Sequence, residues 1–308
     1  MKRLLEFIIA PSKRPMSDAL LCPITRTLMV DPVVASDGNT YERSAILQWI
    51  KLRQTSPLNP SMILTPSNLV ANRHLDAIIE NAVEKEEVED SEADEWRRKR
   101  IERRSTLELY QDGQIMEAAA RGLPVAQGEL AKKAFEIRDY ATSMYWATLA
   151  SEVFEPIGTF YLAYAYFTGR GQPMDWEKAF TYFARIHDQV RCAKYICQMY
   201  KEGGHGIEKN DRELFMWAKR GQFEHPENGF QLGLCYYEGI GVDRNHIYAR
   251  KVWSQCAHPE AIHRHGKMLM KGEGGDVNRT AAMQCIEKAA KHGCSDALLY
   301  LRAISDMD

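Results

Sequence analysis

The chain has 308 residues, of which 45% are hydrophobic and 27% charged, and its formal net charge is -2. That length leaves room for two domains, since single domains usually run to about 100–200 residues, and the charge balance holds no basic excess that would recommend nucleic acid as a partner. The longest apolar runs stop short of the roughly 18–20 residues needed to cross a bilayer, so no membrane partner is expected.

Met1 to Ala10 combines a charged start with an apolar stretch, but Glu6 interrupts it and no small-residue cleavage pattern follows. Residues 1–15 therefore read as an N-terminal extension rather than a signal peptide. The seven cysteines are an odd number scattered without paired spacing, which points to reduced thiols in the cytoplasm, with the nucleus as the alternative.

In Cys22-Pro23-Ile24 the proline stiffens a loop that carries Ile24 at its tip. Val33, Val34 and the Asp37-Gly38 pair predict a β-hairpin whose turn needs positive φ. A helix is expected from about Glu42 to Leu52, with Ile46, Trp49 and Ile50 at helical spacing, and a second loop from Thr55 to Pro60 ends it. Asn72 to Leu75 then opens an amphipathic helix through Ile78, Ile79 and Val83. Loop, hairpin, helix, loop, helix is also the order of the zinc-bearing RING fold. Two tetrahedral zinc sites need about eight Cys and His ligands, and residues 16–88 hold a single cysteine, Cys22.

With Cys22-Pro23-Ile24, Leu28-Met29, Asp31-Pro32-Val33, Thr40-Tyr41-Glu42-Arg43, Trp49-Ile50 and Ser56-Pro57 in this order, residues 16–88 resemble the U-box, in which hydrogen bonds, ion pairs and a small core replace zinc. The resemblance implies an α+β N-terminal domain, a RING-like fold without zinc, that recruits a ubiquitin-charged conjugating enzyme and orients its thioester toward a lysine. It implies no covalent intermediate on this chain, no catalytic side chain, and no metal or small-molecule cofactor; Cys22 is a small buried residue rather than a nucleophile. Carried over by position, Ile24, Trp49 and Pro57 form an apolar patch for the conjugating enzyme. Arg26 stands where the family commonly has an apolar residue, which alters the choice of conjugating enzyme. Asp31, Glu42, Arg43 and Asn72 form the polar network in place of zinc, with simple solvation the alternative for Glu42 and helix capping a further role for Asn72. In the second loop Pro60, Ser61 and Met62 occupy the neighbourhood where many relatives carry a basic or amide residue.

Acidic residues from Glu84 to Glu95 precede basic ones from Arg97 to Arg104, the favourable order along a helix, so residues 89–104 read as a charged linker helix, with a flexible tether as the alternative. Arg97-Arg98-Lys99-Arg100 is expected to be a solvated helix face rather than a nuclear import signal.

Beyond Ser105 the chain repeats itself. Helices expected to end at Gly169, Gly203, Gly239 and Gly272 give a period of roughly 33–36 residues, the mark of stacked helix pairs. Asp175, Asn210, Asn245 and Asn278 are placed to cap the second helix of each pair, and Ala163, Cys197, Gly233 and Gly266 let neighbours approach closely. Ser295 to Ile304 forms a closing half unit. The array resembles Sel1-like repeats, related in shape to tetratricopeptide repeats, which implies an all-α solenoid over residues 105–308 whose groove holds a protein substrate or adaptor. Phe160, Tyr164, Tyr195 and Tyr237 read first as repeat core, and His258, His263 and His265 with Cys256 lack a recurring ligand spacing. Together the two resemblances imply a ubiquitin-protein ligase, with a conjugating enzyme, ubiquitin and a protein substrate or adaptor as expected partners; the alternative is a non-catalytic scaffold.

Overall fold

The computed structural model describes residues 18–186 and 192–305, so the N-terminal extension and its apolar stretch lie outside the described residues. The chain divides into two compact units, residues 1–159 and 160–308.

In the first unit Val33 and Tyr41 are fully buried where two short strands meet. Strand β1 (Pro32–Val34) pairs antiparallel with β2 (Thr40–Glu42), Pro32 opposite Glu42, and on its other edge with β3 (Val70–Ala71), giving the order β2-β1-β3. Gly38 supplies the turn with φ 80°, and Asp37 Oδ1 accepts the Asn39 N–H at 2.9 Å. Helix α1 (Arg43–Arg53) lays Ala45, Ile46 and Ile50 on the sheet, and α2 (Arg73–Glu84) adds Ile79, Ala82 and Val83. Asn72 caps α2 through Oδ1, which accepts the Leu75 N–H at 3.0 Å.

The charged segment forms helix α3 (Asp90–Gln111), which runs on past Arg104. It buries Ala93 and Trp96 in the same core as Val33 and Ile46. Three further helices complete the unit: α4 (Ile115–Ala120), α5 (Pro124–Glu136) and α6 (Tyr140–Glu152), the last capped by Asp139 at 3.1 Å.

From the end of the first unit onward helices follow one another: α7 (Pro156–Thr168), α8 (Trp176–Arg185), α9 (Ala193–Glu202), α10 (Asp211–Arg220), α11 (Pro226–Glu238), α12 (His246–Ser254), α13 (Pro259–Lys271), α14 (Arg279–Lys291) and α15 (Ser295–Ser305). Asp175, Asn210, Asn245 and Asn278 each accept a backbone N–H three residues on, at 2.9 to 3.1 Å. Each cap therefore satisfies one of the donors that a helix start leaves unpaired. Gly239 and Gly272 end α11 and α13 in the left-handed region. Small residues allow the close approaches: a Cβ on Gly233 would land on the Trp253 indole, and one on Gly266 would meet Ile286 and the Ala282 carbonyl. Phe160, Tyr164 and Tyr195 stack with Phe167 and Phe183 in one aromatic cluster at centroid distances of 5.2 to 6.5 Å. They are half-buried packing residues rather than an open aromatic wall.

Candidate functional site

The two loops of the N-terminal fold are held by carboxylates. Glu42, at the end of β2, accepts the N–H groups of Val30 and Asp31 at 2.7 and 3.0 Å. Two backbone donors fix it in place, so it is not a merely solvated side chain. Asp31 Oδ2 receives Arg43 Nε at 2.8 Å and Arg103 Nη2 at 2.9 Å. The Cys22 sulfur, fully buried, accepts the Glu42 N–H at 3.2 Å. Asn72 Nδ2 donates to Thr40 Oγ1 at 3.0 Å, joining α2 to the hairpin. Asp31, Glu42 and Arg43 thus meet around the exit of the first loop, while Asn72 serves the opposite end of β2.

The second loop is gathered by Asp37, Tyr41 and Ser56, which the sequence reading named in the turn and the motifs but not in the polar network. Tyr41 donates its hydroxyl proton to Asp37 Oδ2 at 2.7 Å, and the Ser56 hydroxyl donates to the same oxygen. Ser56 Oγ in turn accepts the N–H groups of Leu58 and Asn59 at 3.1 and 2.9 Å. Burial and the Asp37 carboxylate push the Tyr41 hydroxyl far above its usual range despite an opposing Ser56 contact. Burial opposes ionisation of Asp37, but hydrogen bonds from Ser56, Asn39 and Tyr41 win and hold its carboxyl below the ordinary range. The Asp-Gly turn signalled Asp37; nothing local signalled that Ser56, 19 positions away, would join it.

Helix α3 braces the first loop from outside. The Trp96 indole N–H donates to the Met29 carbonyl at 3.0 Å, Arg100 grips Asp76 with both guanidinium nitrogens at 2.6 and 3.0 Å, and Arg100 and Arg103 each donate to the Val30 carbonyl at 3.1 Å. The Arg97–Arg104 run is therefore two-sided. Arg97 reaches the Val83 carbonyl at 3.2 Å, whereas Arg98 and Arg104 pair along the helix with Glu102 and Glu108.

Between these clamps lie the residues expected to meet a conjugating enzyme. Ile24 and Trp49 are half-buried against one core. The Trp49 indole N–H donates to the Thr55 carbonyl at 2.7 Å and so ties α1 to the loop that carries Pro57, with the Arg53 guanidinium 4.9 Å from its ring. Pro57 is half-buried, and next to it Leu58, which the sequence reading left out, is 55% exposed. Arg26 is exposed and sits at φ 59°, where its N–H donates to the Cys22 carbonyl at 2.8 Å and closes the first loop. Chemically, this set offers apolar contact surface and a rigid frame; it contains no nucleophile paired with a base.

A family model described as "U-box domain" matches residues 16–87, and one described as "Sel1 repeat" matches residues 156–186, 230–251 and 259–294. The chain carries a U-box domain followed by Sel1 repeats. Its U-box is 48% identical over 67 residues to the human WD repeat, SAM and U-box domain-containing protein 1, a match covering 19% of this chain and 14% of that protein. It is 43% identical over 68 residues to an Acanthamoeba polyphaga mimivirus protein named "Probable bifunctional E2/E3 enzyme", covering 22% of this chain and 5% of that one. The solved structure of a protective antigen of uropathogenic Escherichia coli with an SLR fold matches at TM-score 0.61 and 28% identity, covering 70% of this chain and 52% of that chain. The chain thus spans only a small part of these curated relatives. It combines an α+β U-box with an all-α Sel1-repeat solenoid, and among the described residues no helix is long and apolar enough to cross a membrane.

The histidines that follow the U-box have separate duties. His258 caps α13, its Nδ1 accepting the Glu260 N–H at 3.3 Å while its Nε2 lies 3.1 Å from Glu227; His263 is 3% exposed; His265 Nδ1 lies 3.7 Å from Cys285 Sγ. Among the described residues no three His, Cys, Asp or Glu side chains converge as metal ligands.

Proposed function

We propose that the chain is a ubiquitin-protein ligase in which the U-box docks a ubiquitin-charged conjugating enzyme and the Sel1 repeats hold a protein substrate or adaptor. The observation that carries this reading is the metal-free clamping of both loops around α1: Glu42 and Asp31 fix the first, Asp37 and Ser56 the second. In this reading Ile24, Trp49 and Pro57, with Leu58 added, are the apolar surface that the frame supports. The step itself is a substrate lysine attacking the thioester on the conjugating enzyme. The U-box contributes orientation, and the tethered solenoid raises the local concentration of lysine.

The test is discharge of ubiquitin from a charged conjugating enzyme to free lysine, across a panel of such enzymes. Ile24→Ala removes a central anchor worth about 1–3 kcal/mol, so discharge should fall by roughly 5- to 150-fold with folding intact. Unchanged discharge in that variant rejects the assigned docking surface. A second reading, a scaffold that binds a conjugating enzyme without accelerating transfer, is favoured by one observation: Pro60, Ser61 and Met62 provide neither a cation nor an amide beside the second loop. Binding without stimulated discharge across the whole panel selects it.

A further inference from the structure

The first helices of successive repeats are linked by a ladder. The acid at the second position of one such helix takes a proton donor from the residue just before the next. Glu227 in α11 lies 3.1 Å from Nε2 of His258, and Glu260 in α13 accepts from the Cys294 thiol at 3.2 Å. One repeat earlier the equivalent pair is Lys194 in α9 and His225, the cap of α11, with Nζ and Nε2 at 3.4 Å.

That rung is mismatched. His225 Nδ1 accepts the Glu227 N–H at 3.2 Å, so the proton of the neutral ring sits on Nε2. Burial and the nearby Lys194 charge lower the His225 pKa and keep the ring neutral. An ammonium and an imidazole N–H, both donors, therefore face each other, the ammonium also standing 4.8 Å from the centroid of the Tyr195 ring. They do so at the edge of a cleft of about 360 Å³ to which α9 also contributes Gln198 and Lys201, and α11 Glu227 and Gln231. The acids of this cleft are engaged: Glu227 with His258 and with Gln231 at 3.0 Å, and Glu202 with Gln198 at 3.1 Å. Among the described residues neither Lys194 nor Lys201 makes an ion pair.

We propose that the Lys194–His225 rung is a carboxylate-binding subsite, in which a carboxylate of a bound peptide takes the place that a glutamate of the chain fills in the next two rungs. The ligand class is an acidic peptide segment, its carboxylate accepting from Lys194 Nζ and His225 Nε2 while its flank lies along Lys201 and the two glutamines. This deepens the reading of the solenoid as the substrate-holding half and rests on it.

The test uses the full chain and rhodamine-labelled peptides read by fluorescence anisotropy at pH 7: a tetraglutamate C-terminal amide, a Ser-Gly-Ser-Gly peptide with a free C-terminus, and the amide of the latter. Binding of the first assigns side-chain carboxylates, binding of the second a chain terminus, and the neutral third should not bind. Lys194→Glu rebuilds the rung from within the chain, so it should lower affinity about tenfold or more and raise the melting temperature. Lys291→Glu on α14 makes the same change of charge away from the cleft and should leave affinity unchanged. His225→Asn keeps a capping side chain, removes the imidazole donor and should weaken binding on a folded chain. The proposal is overturned if no acidic probe binds, or if the two lysine variants lose affinity equally. Ubiquitin discharge to free lysine, measured on the same preparations, separates the two readings: peptide binding without discharge rejects the ligase and keeps the subsite, and discharge without peptide binding does the reverse.

Discussion

Replacing Trp96 with alanine tests whether α3 is part of the U-box core or a passing linker. The side chain is 6% exposed, packs in the cluster of Val33, Ile46 and Ile79, and gives its N–H to the Met29 carbonyl at 3.0 Å. Truncating a buried tryptophan costs about 3–5 kcal/mol. A Trp96→Phe variant, which keeps much of the volume and loses the donor, should cost about 1–3 kcal/mol. Native-state hydrogen exchange is the suitable assay, because it reports the first unit without requiring both units to unfold together. Each 1.4 kcal/mol is tenfold, so the amides of Val33, Ile46 and Ile79 should exchange roughly 140- to 3,700-fold faster in Trp96→Ala. Acceleration below about tenfold at these three amides, with change confined to α3, would refute the claim that the helix completes the core.

Ser56→Ala removes the hydroxyl that joins Asp37 to the Leu58 and Asn59 amides; a loss of about 1–3 kcal/mol is expected, with reduced ubiquitin discharge read in the same panel. Gly233→Ala drives a methyl into the Trp253 indole and should cost about 1–3 kcal/mol, with altered tryptophan fluorescence as the local signature. Glu155 is 8% exposed, and its carboxyl is raised by burial against opposing hydrogen bonds from Gly158 and Ile157. A raised folded pKa gives stability that is full below the unfolded value near 4.5 and is lost as pH rises through the folded one. Glu155→Gln should therefore flatten the stability profile above that point, as read by denaturant midpoints between pH 4 and 8, and an unchanged profile counts against the assignment.

What the sequence disclosed and what it hid follow from the range of the forces. The caps at Asp175, Asn210, Asn245 and Asn278 were legible because a helix start needs a short acceptor side chain within three residues of the donor it satisfies. The turn at Gly38 and the period of the closing glycines were local in the same sense. Trp96 and Met29 are 67 positions apart, and no local rule couples them. Yet Trp96, Arg100 and Arg103 fall at i, i+4 and i+7, so one face of the charged helix carried a pattern. It was masked because arginine counts as polar in a hydrophobic periodicity although its stem and fork serve buried carbonyls well. The Lys194–His225 rung was hidden for another reason: only when the repeats are stacked does the mismatch with Glu227–His258 become visible.

The clamps also show what replacing zinc does to a loop. A zinc ion is a cation that gathers thiolates and imidazoles from distant segments. Here a carboxylate oxygen does the inverse, gathering donors: Asp31 Oδ2 takes Arg43 and Arg103, and Asp37 Oδ2 takes Tyr41 and Ser56. Each oxygen thereby joins segments the chain separates, but its hold depends on every donor staying in place, since a charge-assisted hydrogen bond is directional and far weaker than a metal bond. Because one of the two donors to Asp31 comes from α3, docking of that helix adds to the hold that Glu42 and Arg43 already have on the first loop. The segment first read as a linker therefore braces the first loop from outside, through Met29, Val30 and Asp31.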